Sequence, residues 1–224
     1  MTATAVRGAV LLLLLLSAGA RAAHAQAFSR LASGEQAVTA ETGLEPAIVT
    51  SLGYAAGLRA GALGTLIPFA QATLVVAQPD PHDYALKAGA QASLLHVGWF
   101  DLSARLAFEV AGTENSIYTG TALRSEVVLL AGHYGRRWFA LGEIGYDRVW
   151  LTYIKNGDWH RTYFYGGAKD GWYSGTGGTF EAGVKAGFAV GRVEIVVRAG
   201  VAKSETLQAL DLPFYATLGA NYRF

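Results

Sequence analysis

The strongest constraint on this chain is an alternation of period two that recurs along it with no long apolar run beside it. Phe100, Leu102, Ala104, Leu106, Phe108 and Val110 are interleaved with Asp101, Ser103, Arg105, Ala107 and Glu109. Successive side chains of a strand point to opposite faces, so this segment has one apolar face and one polar or small face. The same reading applies to Tyr84, Leu86, Ala88, Ala90, Ala92 and Leu94, set between Lys87, Gln91 and Ser93. It applies to Phe180 through Val190 around Glu181 and Lys185, and to Val193 through Val201 around Glu194 and Arg198. Phe214, Ala216, Leu218, Ala220, Tyr222 and Phe224 close the series around Thr217, Asn221 and Arg223. The apolar face of these five segments carries no charge. Segments 121–131 and 137–153 follow the rule less strictly, and 65–77 and 46–58 follow it loosely.

Composition sharpens the choice of environment. The chain is 52% hydrophobic and only 16% charged, with a mean hydropathy of +0.26. Yet after residue 25 no apolar run approaches the about 20 residues that a membrane-spanning helix needs. Such a chain is either a soluble β protein with a large core or a membrane barrel. Three features favour the barrel. Aromatics recur eight residues apart on the apolar face: Phe100 and Phe108, Trp138 and Tyr146, Phe180 and Phe188, Phe214 and Tyr222. On a tilted strand that interval covers about 20 Å of bilayer normal, near the spacing of the two aromatic girdles of a barrel. The connections also alternate. Val97-Gly98-Trp99, 132–136 and Gly191-Arg192 are short, whereas 112–120, 155–178 and 202–213 are longer. Short periplasmic turns and longer external loops have that asymmetry. The third feature is the final strand, which carries Tyr222 and ends on Phe224.

The ends carry further signals. Arg7, the apolar run Val10 to Leu16 and the small-x-small site Ala23-His24-Ala25 make the three-part pattern of a secretory signal peptide. Cleavage after Ala25 would leave 26–224 as one barrel domain. The absence of cysteine excludes structural disulfides and a lipidated N-terminus. With this leader, the strand pattern and the terminal aromatic, the chain resembles bacterial outer-membrane β-barrel proteins as a class. That resemblance implies an outer-membrane location, contact with lipid and lipopolysaccharide, and reading of Tyr222 and Phe224 by the barrel-assembly machinery. The expected fold is all-β: a closed, antiparallel, up-and-down transmembrane barrel. Both termini lie on the periplasmic side of such barrels, so the strand number should be even. Ten strands are preferred, at about 36–43, 46–58, 65–77, 84–96, 100–111, 121–131, 137–153, 179–190, 193–202 and 213–224. The alternative is eight, with 26–64 folded as a periplasmic or lumenal segment.

Function is harder to read. An interior this narrow is filled by side chains, so its charges must be paired. Centring the 84–111 hairpin on Gly98 puts Lys87 opposite Glu109, Gln91 opposite Arg105 and Ser93 opposite Ser103. Lys87, Arg105, Glu109, Glu181, Lys185, Glu194 and Arg198 are therefore expected to form a lumenal charge network, joined by Arg124, Glu126, Glu143 and Asp147. The long segment 155–178 offers Trp159, Tyr163, Tyr165, Trp172 and Tyr173 as a recognition surface or as membrane-proximal anchors. Asp158 and His160 are the candidate acid–base pair of a surface hydrolase. Omptin proteases use external Asp and His, and barrel lipid A deacylases and phospholipases use Ser and His, but no local motif of either stands here. His96 and His133 belong near periplasmic turns and His82 outside. No His, Asp or Glu cluster has metal-site spacing, no glycine loop is built to cradle phosphate, and no cofactor is expected. A net charge of +1 without a basic run gives no argument for nucleic acid. Three roles stay open: a scaffold displaying loops, a narrow small-solute pore, and a surface hydrolase of lipid or peptide.

Overall fold

A computed structural model describes residues 31–224, apart from 46, 62–63, 77–79, 116, 136, 164–165 and 205–213. The leader expected at 1–25 lies outside the described residues. The chain folds as β1 (Gln36–Glu45), β2 (Ala47–Ala56), a two-residue β3 (Leu58–Arg59), β4 (Thr65–Val75), β5 (Tyr84–Val97), β6 (Phe100–Glu114), β7 (Tyr118–Tyr134) and β8 (Trp138–Asn156). A short helix α1 (Asp158–Tyr163) precedes β9 (Gly171–Val190), β10 (Val193–Ser204) and β11 (Phe214–Arg223).

Each long strand pairs antiparallel with its sequence neighbour, β3 standing aside as a short extension against β4. Two pairings complete the ring. β2 pairs with β4 from Val49↔Val75 to Ala55↔Phe69, and β1 pairs with β11 from Ala37↔Arg223 to Leu44↔Ala216. The result is a closed ten-strand antiparallel barrel, the preferred count and not eight. Residues 36–56, the least regular part of the pattern, are two full staves of the wall. Closure leaves no free edge along the long strands, so their paired backbone groups bond each other around the ring.

One end of the barrel carries tight turns, the other the longer loops. At the turn end, Gly98 and Gly191 have φ of +61° and +62°, while among the described residues no non-glycine has positive φ. With glycine first and an ordinary residue second, Gly98-Trp99 and Gly191-Arg192 have the signature of type II′ hairpins, whose twist matches the flanking strands. Gln36 and Phe224 meet at this end through two backbone hydrogen bonds of 3.0 Å.

The wall sorts its side chains by face. Outward positions carry the aliphatic and aromatic residues, among them Phe108 at 63% and Ile144 at 66% exposure. Inward positions carry most of the buried charge. This is the reverse of a soluble sandwich, whose buried face is apolar and whose exposed face is polar. An exterior this apolar is stable only in lipid. Aromatic rims bound the belt: Tyr146 packs on Phe180 with centroids 4.6 Å apart, and His133 stacks between Trp99 and Trp138 at 5.9 and 4.2 Å.

The wall is taller than a bilayer on one side. β8 has 19 residues and β9 has 20, against about 9–11 needed to cross. The alternation suggests a loop from 155 to 178, but β8 runs on to Asn156 and β9 starts at Gly171, so the connection is only 157–170. The 112–120 link shrinks similarly to 115–117. Glycines and threonines blur the apolar period here because these strand ends face water on both sides.

Candidate functional site

The interior is layered along the barrel axis. Residues 31–35 tuck into the turn end, where Gly34 N–H donates to the Gly57 carbonyl at 2.8 Å. Leu31 is buried there with Ala37, Ala55, Ile67, Phe69 and Ala107. A second apolar cluster, Val128, Leu130, Phe139, Leu141 and Val196, lines the same half from another wall. Charge occupies the middle. Tyr118 and Ile154, packed by Ile117 and Tyr173, stand towards the loop end.

The charges gather in two clusters. The first lies on β5, β6 and β7. Lys87 faces Glu109 in register, with Nζ 3.4 Å from Glu109 Oε2 and 2.5 Å from Glu126 Oε2. Arg105 donates to Glu126 Oε1 from Nε at 3.0 Å and from Nη2 at 2.7 Å. Arg124 Nη1 stands 3.5 Å from Glu109 Oε1. Gln91 is opposite Arg105 and Ser93 opposite Ser103, just before a bulge between Ser93 and Leu95.

The second cluster centres on Arg198 of β10. Its guanidinium donates to Glu143 at 2.5 Å, to Glu181 at 3.0 Å and to Glu45 at 3.1 Å, and lies 4.3 Å from the ring centre of Tyr215. Tyr215 in turn donates its phenol to Glu143 at 2.6 Å. Glu143 is on β8 and Glu45 on β1, so one side chain ties together groups from across half the ring. Lys185 lies between the clusters, attracted by Glu143 and Glu41 and near enough to Arg105 and Arg198 to feel their like charge. Thr217 donates to Glu41, and Asn221 donates to Glu194 at 3.0 Å. Glu194 therefore sits apart from Arg198, towards the turn end. Arg105, Arg198 and Lys185 are each no more than 2% exposed.

Glu41, Glu45, Tyr215 and Thr217 are members that the sequence reading missed. A signal existed for the first two: Thr39, Glu41, Gly43 and Glu45 alternate with Val38, Ala40, Thr42 and Leu44. Tyr215 had a signal too, since it shares the parity of Thr217 and Asn221, but its aromatic ring does not announce an inward polar role.

Below the charges, on the turn side, a cavity of about 650 Å³ remains. Gln91, Lys185 and Ser103 line it, as do Leu130, Phe139 and Leu141. Asp101 accepts a hydrogen bond from Ser93 at 3.1 Å and has His96 Nδ1 at 3.3 Å. The serine thus contacts the carboxylate, not the histidine, and this trio lacks the Ser–His hydrogen bond that activates a nucleophile.

At the loop end, 157–170 is held shut. Arg161 binds Asp170 through two hydrogen bonds of 2.6 Å, and Asp170 also accepts from the Asn156 backbone at 2.8 Å. Those partners hold the Asp170 carboxyl at about 2. His160 is buried, and its Nδ1 faces Asn156 Oδ1 at 3.2 Å. Asp158 and His160 are two apart in α1, a spacing that puts side chains on different helix faces. The pairing expected of them as acid and base gives way to a buried histidine facing Asn156. Trp159 and Tyr163 are exposed with centroids 6.0 Å apart. Trp172 and Tyr173 belong to β9, not to the loop: Trp172 packs edge-on against Tyr153 at 5.4 Å, and Tyr173 leans on Tyr118 and Ile154. Tyr165 lies outside the described residues. His82 bridges Asp80 at 3.0 Å and Glu114 at 3.2 Å, tying the β4–β5 connection to β6. Tyr222 and Phe224 face outward at the turn end, their rings stacked at 6.2 Å.

No protein-family model matches the chain, and no curated protein matches its sequence. Among solved structures, it is similar to the KdgM porin at 13% identity over 85% of this chain and 99% of that one, with a TM-score of 0.35. It is also similar to the β-domain of the Bordetella autotransporter BrkA, at 15% identity over 87% of this chain and 100% of that one, with a TM-score of 0.38. These neighbours are bacterial outer-membrane β-barrels. The likeness is one of overall fold, and no residue's role carries over with it.

Proposed function

We propose that this chain is a closed scaffold in the bacterial outer membrane, with a filled lumen and its loop end displayed at the cell surface. The observation that carries this reading is Arg198, whose guanidinium collects carboxylates from β1, β8 and β9 inside the barrel. With Lys87, Arg105 and Glu126 meeting from the other wall, side chains occupy the cross-section that a wide pore would need empty. The loop end fits a display role, since the Arg161–Asp170 latch presents Trp159 and Tyr163 on a fixed frame. On this reading the partners are membrane lipid around the belt, lipopolysaccharide at the loop-end rim and the barrel-assembly machinery at Tyr222 and Phe224.

Planar-bilayer recording on the purified chain tests it, with insertion verified by protease cleavage of the loop end. No conductance steps are expected at moderate voltage. Reproducible steps would overturn the scaffold in favour of a narrow pore, a reading favoured by the cavity that already occupies the turn half of the lumen.

A further inference from the structure

The outer wall has two features that a rigid scaffold does not need. The first is a trough of about 960 Å³ in the lipid-facing belt. Its floor is three outward alanines, Ala70 and Ala72 on β4 and Ala88 on β5. Larger side chains bound it, Leu52 and Tyr54 at one end and Phe108 and Trp150 at the other. The row follows strand register, Tyr54 to Ala70 to Ala88 to Phe108. In a barrel whose strands tilt by about 35–45° such a row crosses the belt obliquely. Tyr54 stands near the turn end, where its hydroxyl donates to Gln36 at 2.6 Å. Trp150 stands in the loop-side half of β8.

The second feature is a cation at the loop-side end of that trough. Arg148 is exposed on the outward face, just beyond Tyr146 of the aromatic rim. Its guanidinium lies 4.9 Å from the centre of the Trp150 ring, and Trp150 Nε1 donates to Ser125 Oγ at 2.8 Å. Its register partners are Ser125 and Gly178, and its outward neighbours along β8 are Tyr146 and Trp150. None of these four is a carboxylate, whereas Arg105, Arg124 and Arg198 in the lumen each face one. A lipid-facing cation is costly at the middle of a bilayer and nearly free at its interface, the level of lipid phosphate. Beyond Arg148 the outward face stays aromatic and basic. Tyr153 and Trp172 pack with ring centres 5.4 Å apart, and Lys155 is exposed past them. Amphipathic rings left exposed at a wet interface mark a contact surface.

We infer that this face seats one phosphorylated glycolipid of the outer leaflet, the lipid A part of lipopolysaccharide. Its phosphate accepts from the Arg148 guanidinium. Its sugar lies against Tyr153 and Trp172, and one acyl chain descends from Trp150 over Ala88 and Ala72. A plain phospholipid head ends at the phosphate level and leaves Tyr153, Trp172 and Lys155 uncovered, which favours the sugar-bearing lipid. The inference rests on the reading that the loop end faces the cell surface, and it narrows the lipopolysaccharide contact to one stretch of the rim.

The test uses the full folded chain in vesicles of dibrominated phosphatidylcholine, whose bromines quench tryptophan. Replacing part of that lipid with an unbrominated one restores emission according to what sits beside the rings. Lipid A should do so at about a tenth of the mole fraction that unbrominated phosphatidylcholine needs, the worth of one charge-assisted contact. Phosphatidic acid, a phosphate without the sugar, should fall between them. Arg148→Gln should bring lipid A down to the level of phosphatidylcholine. Ala88→Phe, which fills the floor, should weaken lipid A and phosphatidic acid alike. Arg192→Gln, at an exposed turn-end arginine, should leave the preference intact. No preference for lipid A in the parent, an unchanged preference in Arg148→Gln or Ala88→Phe, an equal loss in Arg192→Gln, or phosphatidic acid matching lipid A would each overturn the inference. Should Ala88→Phe fail to insert, judged by heat-dependent migration in gels, the Arg148→Gln result decides. These vesicles carry lipid A in both leaflets and the readout involves no conductance. Failure here is therefore distinct from failure of the scaffold reading, or of the orientation that protease cleavage checks.

Discussion

Removing Arg198 tests whether the interior is held by compensation of charge or merely by filling. Arg198→Met keeps much of the stem volume and deletes the guanidinium. Three carboxylates, Glu45, Glu143 and Glu181, then lose the cation they share. Breaking a buried ion pair by removing one partner costs about 3–5 kcal/mol, because the remaining charge is stranded. Glu143 keeps the Tyr215 phenol, which favours the lower half of that range. Lys87→Met is the internal comparison. Glu126 keeps Arg105 and Glu109 keeps Arg124, so the loss there should be about 1.5–3 kcal/mol, that of hydrogen bonds to a charged group. Urea unfolding in lipid vesicles, followed by the fluorescence of the five tryptophans, measures both. The decisive variant adds Glu45→Gln, Glu143→Gln and Glu181→Gln to Arg198→Met. With the charges gone, most of the lost stability should return. Should Arg198→Met cost under about 1 kcal/mol, or should the neutral quadruple variant be no better, compensation is not what holds this layer.

Three further outcomes can be stated together. Asp170 is held at about 2 by Arg161 and Asn156; a carboxyl depressed on folding stabilises above its unfolded value of about 3.9 and loses that contribution as pH falls through the folded value. A carboxyl ¹³C titration should thus place the Asp170 midpoint near 2, and a midpoint near 4 would mean the latch is open. Gly200→Val should cost about 1–3 kcal/mol by overpacking, since a Cβ there would meet the Tyr215 hydroxyl and the Ala182 carbonyl, each at 2.4 Å. Gly142→Ala, whose Cβ has nothing nearer than 3.7 Å, should unfold within about 0.5 kcal/mol of the parent. Equal losses at the two glycines would remove the steric explanation. Trp172→Ala should loosen the rim against Tyr153 and leave proteolysis of 157–170 unchanged, whereas Arg161→Ala should speed it; the reverse pattern would put the latch in the wrong place.

The barrel was legible because two-fold alternation is a property of each strand by itself. Phe100 to Val110 announces its faces without any partner. The Lys87–Glu109 opposition was legible from the need to pair inward charges, not from the turn: the two-residue turn alone would set Lys87 against Val110, and the bulge at Leu94 shifts the register by one. What escaped was anything set by closure. Glu45 and Arg198 are 153 residues apart, and only the meeting of β1 with β11 brings them together. Loop length escaped for another reason. Where β8 and β9 rise above the lipid, both faces see water, and the alternation that defines a strand inside the bilayer loses its cause. Trp172 and Tyr173 were read as loop residues on that account.

The same reasoning locates the part of the interior that packing explains least. Along the wall an outward apolar residue opposes an inward polar one, and Lys87, Arg105, Arg124 and Arg198 each stand against a carboxylate. On the turn side of that layer a cavity of about 650 Å³ remains between polar Gln91, Ser103 and Lys185 and apolar Leu130, Phe139 and Leu141. Unfilled space costs stability, and local departures from consistent packing are expected to concentrate where a chain does something besides fold. The loop end is latched by Arg161 and Asp170, so within the lumen the functional question belongs at the turn end.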